Sequence, residues 1–416
     1  GRLHYQVLIR KQVNKGLIGI NPDINKKQMN RSGEVSALHY ETGRPVRIKF
    51  SGGRISSVVE IPMSDKLNDI FVAPGLIDNQ INGYRGVDFS DPSLSSLKFR
   101  MAVDAIRKDG VATFFPTVIT GSHDNLVRVF RNLARALQDD EEAGISVAGF
   151  HLEGPYISPE AGFYGCHPAE FIRKPSWDEF MQYQDASGGN IRQVTVSPEI
   201  EGVMDFIGRC VRQKIVVSIG HTNASAAQIM EAVDRGARLS THLGNGCANM
   251  IDRHLNPLWP QLANDLLTPS IIADGHHLLP EEVRVFCKVK GPDNIILTSD
   301  VTHFMGMEPG SYVFMGSDIV LSADGLIKNP VLNCLAGASL PLRTGVGNVM
   351  RFTGCTLGEA VNMASKNVSA ACRIAGRGTL EGGTRADLIL FHMEDFNMSI
   401  KKVIVNGREI EPQTEN

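Results

Sequence analysis

The 416-residue sequence predicts an α/β protein, a (β/α)8 TIM-type barrel joined to a small β-sandwich domain built from the N- and C-terminal segments. Three observations carry this. The centre of the chain repeats an apolar run followed by an amphipathic helical stretch. The run occurs eight times, and reactive side chains recur at the same end of the repeat.

Residues 1–72 mix short β-like runs with turn signals, as in Val46–Phe50, then Ser-Gly-Gly, then Ile55–Val59. Residues 380–416 behave alike, with Ala386–Phe391, then Val403–Val405 ahead of an Asn406-Gly407 turn signal. Two terminal pieces of one character predict a shared small domain flanking a continuous barrel over 73–379. The eight barrel runs are Phe71–Ile77, Val111–Ile119, Ile145–Leu152, Ile191–Val196, Lys214–Gly220, Arg238–Leu243, Ser270–Ala273 and Asn294–Thr298. Between them, 97–108 places Leu97, Met101, Ala102, Ala105 and Ile106 on one helical face, and 123–137 and 224–234 also read as helices. The rival architecture, a doubly wound open sheet, wants a glycine-rich phosphate turn after its first strand. This chain has none.

A formal net charge of −3 argues against a nucleic-acid-binding or polybasic membrane surface. No apolar run approaches the roughly 20 residues that span a bilayer. The opening Gly-Arg-Leu-His-Tyr carries neither a start Met nor a hydrophobic signal core, so a processed or trimmed product is expected. Seven scattered cysteines without a CxxC pair suit reduced core thiols of a cytoplasmic protein better than a disulfide framework.

The reactive residues then fall into register. Strand one leads to Asp78-Asn-Gln80-Ile-Asn82, strand three to Glu153, strand five to His221, strand six to His242 and strand eight to Asp300. Each has a bland role open to it. Glu153 suits a cap or ion pair, either histidine a satisfied core position, and Asp300 an arginine's partner. Separate arrivals at equivalent strand ends weigh against coincidence. One carboxylate and two imidazoles make the three-protein-ligand set of a catalytic zinc site, with a fourth position for water. Asp300 follows Ile295-Ile-Leu-Thr-Ser, and a buried carboxylate is costly unless paired or near a cation. It is the expected general base.

Several motifs together resemble one family. Ala73-Pro-Gly-Leu-Ile-Asp78, His151-Leu-Glu-Gly-Pro155, Gly220-His-Thr-Asn-Ala224, Thr241-His-Leu-Gly-Asn245, Ala273-Asp-Gly-His-His277 and Thr298-Ser-Asp300 resemble the N-acetylglucosamine-6-phosphate deacetylases of the amidohydrolase superfamily. The resemblance covers nearly the whole chain, with Gly383–Leu390 similar to the Gly-x-x-Ala-Asp-Leu signature of the family's small β-sandwich.

That resemblance implies hydrolysis of the acetamide of N-acetylglucosamine 6-phosphate to glucosamine 6-phosphate and acetate. It implies one divalent metal ion, Zn2+ first, with Fe2+, Mn2+ or Co2+ as substitutes, held by Glu153, His221 and His242. Many amidohydrolases carry His-x-His after strand one. Gln80-Ile-Asn82 stands there in this chain, and neutral amides are poor zinc ligands. Further roles follow by resemblance. His167 contacts substrate and orients the carbonyl or a hydroxyl, and Cys166 contributes backbone. Asn245 and Gly246 form a phosphate-side pair, and Arg253 offers a planar fork to the phosphate. His277, closing Asp274-Gly-His-His, contacts substrate, and Leu335-Ala336-Gly337 lies over the sugar. A homodimer is implied as well. The chain departs from the family in Gly244-Asn-Gly-Cys-Ala-Asn-Met250 and in Val-Thr-His303 after Asp300, which leaves the metal ligands and base untouched. Two other readings stay open. One is a single-metal amidohydrolase for another N-acyl amino sugar or a cyclic amide. The other is a non-catalytic barrel module, which should have lost its ligands.

Overall fold

The computed structural model describes residues 31–410 apart from 65, 66, 68 and 315. The parts of the terminal-domain assignment that fall on 1–30 and 411–416 lie outside the described residues.

Both ends of the chain meet in one seven-stranded sheet, in the order Arg408–Ile410, Asn397–Val405, Leu388–Glu394, Phe71–Pro74, Gly33–His39, Pro45–Ser51 and Arg54–Glu60. Only Gly33–His39 and Phe71–Pro74 pair in parallel. The run read as Phe71–Ile77 is therefore two strands. Phe71–Pro74 pairs with Leu388–Phe391 in the terminal sheet, and the first barrel strand is Leu76–Ile81. Both are largely buried, so no polar break in the sequence marks the change of sheet. The Ala-Asp-Leu signature joins the two bodies. Asp387 accepts from Arg385 Nε at 2.8 and 2.7 Å and from the Asn406 backbone at 2.9 Å. Arg385 in turn reaches Ile145 O at 2.6 Å and Thr113 Oγ1 at 3.1 Å in the barrel.

The barrel strands are Leu76–Ile81, Val111–Ile119, Phe150–Glu153, Ile191–Val196, Val216–Ile219, Leu239–Ser240, Thr268–Ile271 and Ile296–Leu297, with every neighbouring pair parallel. The ring closes where the chain after strand eight meets strand one. There Asn82 N donates to Val301 O at 2.8 Å and Asp300 N to Gln80 O at 3.1 Å. Strand three starts later than its apolar run, because Ile145 caps the short helix Glu141–Gly144.

Helices Ser96–Lys108, His123–Asp139 and Ala226–Asp234 occupy the predicted stretches. The hydroxyls of Ser95, Ser122 and Ser225 accept from first-turn backbone N–H groups. The first of these buries a different face from the one read in the sequence. Leu97 and Met101 are 72% and 60% exposed, while Phe99, Ala102, Val103 and Ile106 are buried. Phe99 packs against Phe89, and that aromatic contact selects the face.

After strand eight the chain makes a four-stranded antiparallel insertion, Gly310–Phe314, Ser317–Leu321, Ile327–Asn329 and Cys334–Leu335. The sequence reading does not anticipate it, since its strands are short and only partly buried. Its last strand carries Leu335 to the barrel mouth. Among the described residues no helix is long and apolar enough to cross a membrane.

Candidate active site

Glu153 is the last residue of strand three, while His221 and His242 each stand two residues beyond strands five and six. Barrel closure brings the three together as buried side chains whose ligand atoms all lie within 4.8 Å of one another. Glu153 Oε1 is 3.3 Å from His221 Nε2 and 3.0 Å from His242 Nε2. A tetrahedron with zinc–N and zinc–O bonds near 2.05 Å has an edge of roughly 3.3 Å. Both separations from Glu153 lie close to that edge, and the donor set suits a divalent ion.

The surrounding chain prepares these donors. His221 Nδ1 donates to Phe163 O at 2.9 Å, which fixes the tautomer and leaves the Nε2 lone pair for a metal. Gly246, with φ of 61°, lies against the same ring, and a Cβ there would sit 2.9 Å from His221 Nδ1. Burial opposes charge on Glu153, but the His221 and His242 rings against it override this and hold the carboxyl well below its ordinary range, the same sense in which a cation there would act. An ionised carboxylate is what a cation requires. His221, His242 and Asp300 have φ of 50°, 32° and 51°, left-handed values that cost a non-glycine residue about 1–3 kcal/mol each. The fold keeps three unfavourable backbones at one rim, where each aims a side chain inward.

Asp300 is held at the seam of the barrel by two amides. Gln80 Nε2 donates to its Oδ1 at 2.8 Å and Asn82 Nδ2 to the same oxygen at 2.7 Å. The Gln80 amide also donates to Glu153 Oε1 at 2.9 Å. Burial, then the Glu153 carboxylate, raise the Asp300 carboxyl to about 6. The other oxygen, Oδ2, faces Gly337, whose φ is 70° and where a Cβ would lie 3.9 Å away. That leaves one oxygen oriented by amides and one toward the cavity.

A cavity of about 440 Å³ opens over these groups. Its walls include Glu153, His167, His221, His242 and Asp300 together with Cys166, Asn245, Gly246, His277 and Leu335-Ala336-Gly337. His167 Nδ1 pairs with Thr120 Oγ1 at 2.7 Å, and its ring meets that of His221 edge-on at 4.4 Å. Burial, then the neighbouring His221, push its pKa down to about 3, so it is neutral. Asp274 stands behind the wall and fixes His277, with Oδ2 2.7 Å from His277 Nδ1.

Arg253 is exposed and outside the cavity lining, which contains no Lys or Arg among the described residues. Thr120 and the Phe163 carbonyl are site partners that the sequence reading misses. A hydroxyl and a backbone oxygen carry no motif of their own. The seven cysteines are all free, but only Cys210 and Cys372 are buried, while Cys166, Cys247 and Cys334 line the cavity.

The model of the Amidohydrolase family matches residues 71–410. The chain belongs to the amidohydrolase family. As an amidohydrolase it is 30% identical to the N-acetylglucosamine-6-phosphate deacetylase of Bacillus subtilis (strain 168), over 82% of this chain and 88% of that one. It is 28% identical to the N-acetylgalactosamine-6-phosphate deacetylase of Escherichia coli O157:H7, over 87% and 94%. The solved N-acetylglucosamine-6-phosphate deacetylase of Thermotoga maritima matches with a TM-score of 0.81 at 27% identity, covering 92% of this chain and all of that chain (100%). A mutant of the Mycobacterium smegmatis enzyme in complex with N-acetyl-D-glucosamine-6-phosphate matches with a TM-score of 0.81 at 26% identity, covering 91% and 99%.

Proposed function

We propose that this amidohydrolase cleaves the acetamide of N-acetylglucosamine 6-phosphate, releasing acetate and glucosamine 6-phosphate. The observation that carries the reading is the buried Glu153, His221 and His242 cluster with Asp300 beside it, all lining one cavity. A divalent ion held by those three side chains, Zn2+ in this reading, supplies Lewis acidity toward the carbonyl and lowers the pKa of water. The same N and O donors accept Fe2+, Mn2+ or Co2+.

The chain's own groups do the proton work. Asp300 takes a proton from the water whose oxygen bonds to the acetamide carbon. It returns that proton to the amide nitrogen as the C–N bond breaks, so the amine leaves neutral. Neutral His167, with Nδ1 held by Thr120, offers Nε2–H to the carbonyl oxygen as negative charge grows there. Gln80 and Asn82 keep Asp300 from turning away between the two transfers.

Sugar positioning falls to His277, fixed by Asp274, to the Leu335-Ala336-Gly337 strand end, and to Cys166 through its backbone. Asn245 Nδ2 is buried with no hydrogen-bond partner among the described residues, a donor suited to a phosphate oxygen beside Gly246. Among the described residues the lining holds no Lys or Arg, and in this reading Arg253 folds in or is supplied by a second copy in a homodimer. Remote binding of this kind orients the reacting bond.

Acetate release from N-acetylglucosamine 6-phosphate, its galacto epimer and unphosphorylated N-acetylglucosamine tests the reading. The highest kcat/KM is expected for the phosphorylated gluco sugar. A preference for the galacto epimer would move the chain to the activity named for the Escherichia coli relative. No acetate from any of the three would reject the deacetylase assignment.

A further inference from the structure

Two cysteines on different segments meet at the rim of this cavity. Cys166 lies on the loop after strand three, next to His167. Cys334 begins the last strand of the insertion, next to Leu335. Their sulfurs are 3.0 Å apart, and Cys166 Sγ also reaches Leu335 O at 3.3 Å. Both side chains are partly accessible from the cavity. A disulfide has its sulfurs near 2.05 Å, so closure needs an approach of about 1 Å. The deacetylation chemistry uses neither thiol.

We propose that Cys166 and Cys334 are an oxidation site, a thiol pair that a low-molecular-weight disulfide such as oxidised glutathione converts to a reversible staple across the active-site mouth. The thiolate of one cysteine attacks a sulfur of the small disulfide, and one molecule of reduced thiol leaves. The thiolate of the second cysteine then displaces the other small thiol. Two protein thiols lose two protons and two electrons, and one small disulfide becomes two thiols.

The geometry gives the staple a consequence. It ties the His167 loop to the strand end that carries Leu335-Ala336-Gly337, and substrate must fit between these two walls. Drawing Cys166 toward Cys334 also shifts His167, whose ring is positioned by Thr120 and by contact with His221. A misplacement of about 1 Å near reacting groups costs up to about a hundredfold in rate.

The test oxidises the full-length, metal-loaded protein with glutathione disulfide and reads two signals. Intact-mass and peptide mapping should show the loss of two hydrogens and a Cys166–Cys334 cross-link, both reversed by dithiothreitol. This covalent signal does not depend on the deacetylase reading. Turnover, which does rest on that reading, should fall by about tenfold or more and recover on reduction. Cys334→Ser should form no cross-link and lose no activity on the same treatment. Glutathione adducts without the cross-link would overturn the proposal. So would a cross-linked protein that turns over as fast as the dithiol form.

Discussion

Glu153 and Asp300 share one hydrogen-bond donor, the Gln80 amide nitrogen, at 2.9 and 2.8 Å. A metal-ligand candidate and the candidate base are thus two carboxylates held side by side by a neutral bridge. A histidine at position 80 would be a further ligand and would compete for that space. The amide instead damps the repulsion from Glu153 that adds to burial in raising the Asp300 carboxyl.

Gln80→Leu removes the bridge while keeping the bulk. The ionised form of Asp300 then loses a donor, so its pKa rises, by about one unit. Because the base works only when deprotonated, activity is present above that pKa and lost as pH falls through it. In the unaltered protein the acid limb of kcat/KM is expected at or below 6, since a bound cation favours the carboxylate further. The limb should move upward in Gln80→Leu. An unmoved limb would disconnect Gln80 from the base.

Asp300→Asn keeps the side-chain shape and removes the proton acceptor. We expect kcat to drop by about 10²–10⁴-fold with metal content unchanged. Steady-state kinetics alongside metal analysis checks this, and near-normal turnover would place the base elsewhere.

Arg253→Ala isolates the phosphate end. KM for N-acetylglucosamine 6-phosphate should rise about tenfold or more while kcat changes little, the pattern of lost uniform binding. The same KM in variant and parent would remove Arg253 from the site.

Asp387→Ala breaks the pair with Arg385, whose side chains are 4% and 13% exposed. Leaving that guanidinium buried without its carboxylate should cost about 3–5 kcal/mol of stability, read by denaturant unfolding. A loss of about 1 kcal/mol or less would show the pair behaving as a surface one.

The barrel was legible because burial and strand period leave a mark that every repeat restates. Glu153, His221, His242 and Asp300 were legible for the same reason, each being the first reactive residue past an apolar run. What stayed hidden has no local period. Phe71–Pro74 and Leu76–Ile81 are one apolar stretch in sequence and two sheets in space. The insertion around Gly310–Leu335 is assembled from short strands with modest burial. Thr120 and the Phe163 carbonyl act through contacts 47 and 58 residues away in the chain, a pairing that only the fold creates. Arg253 shows the opposite limit, since a motif position can be matched while its side chain stands outside the cavity of a single chain.

The most direct measurement is the metal content of the purified protein beside that of Glu153→Gln, with acetate release followed as the metal is stripped and restored. The account predicts close to one divalent ion per chain in the parent, far less in the variant, and turnover that disappears and returns with the ion. Full activity in metal-free protein, or undiminished metal in Glu153→Gln, would contradict it.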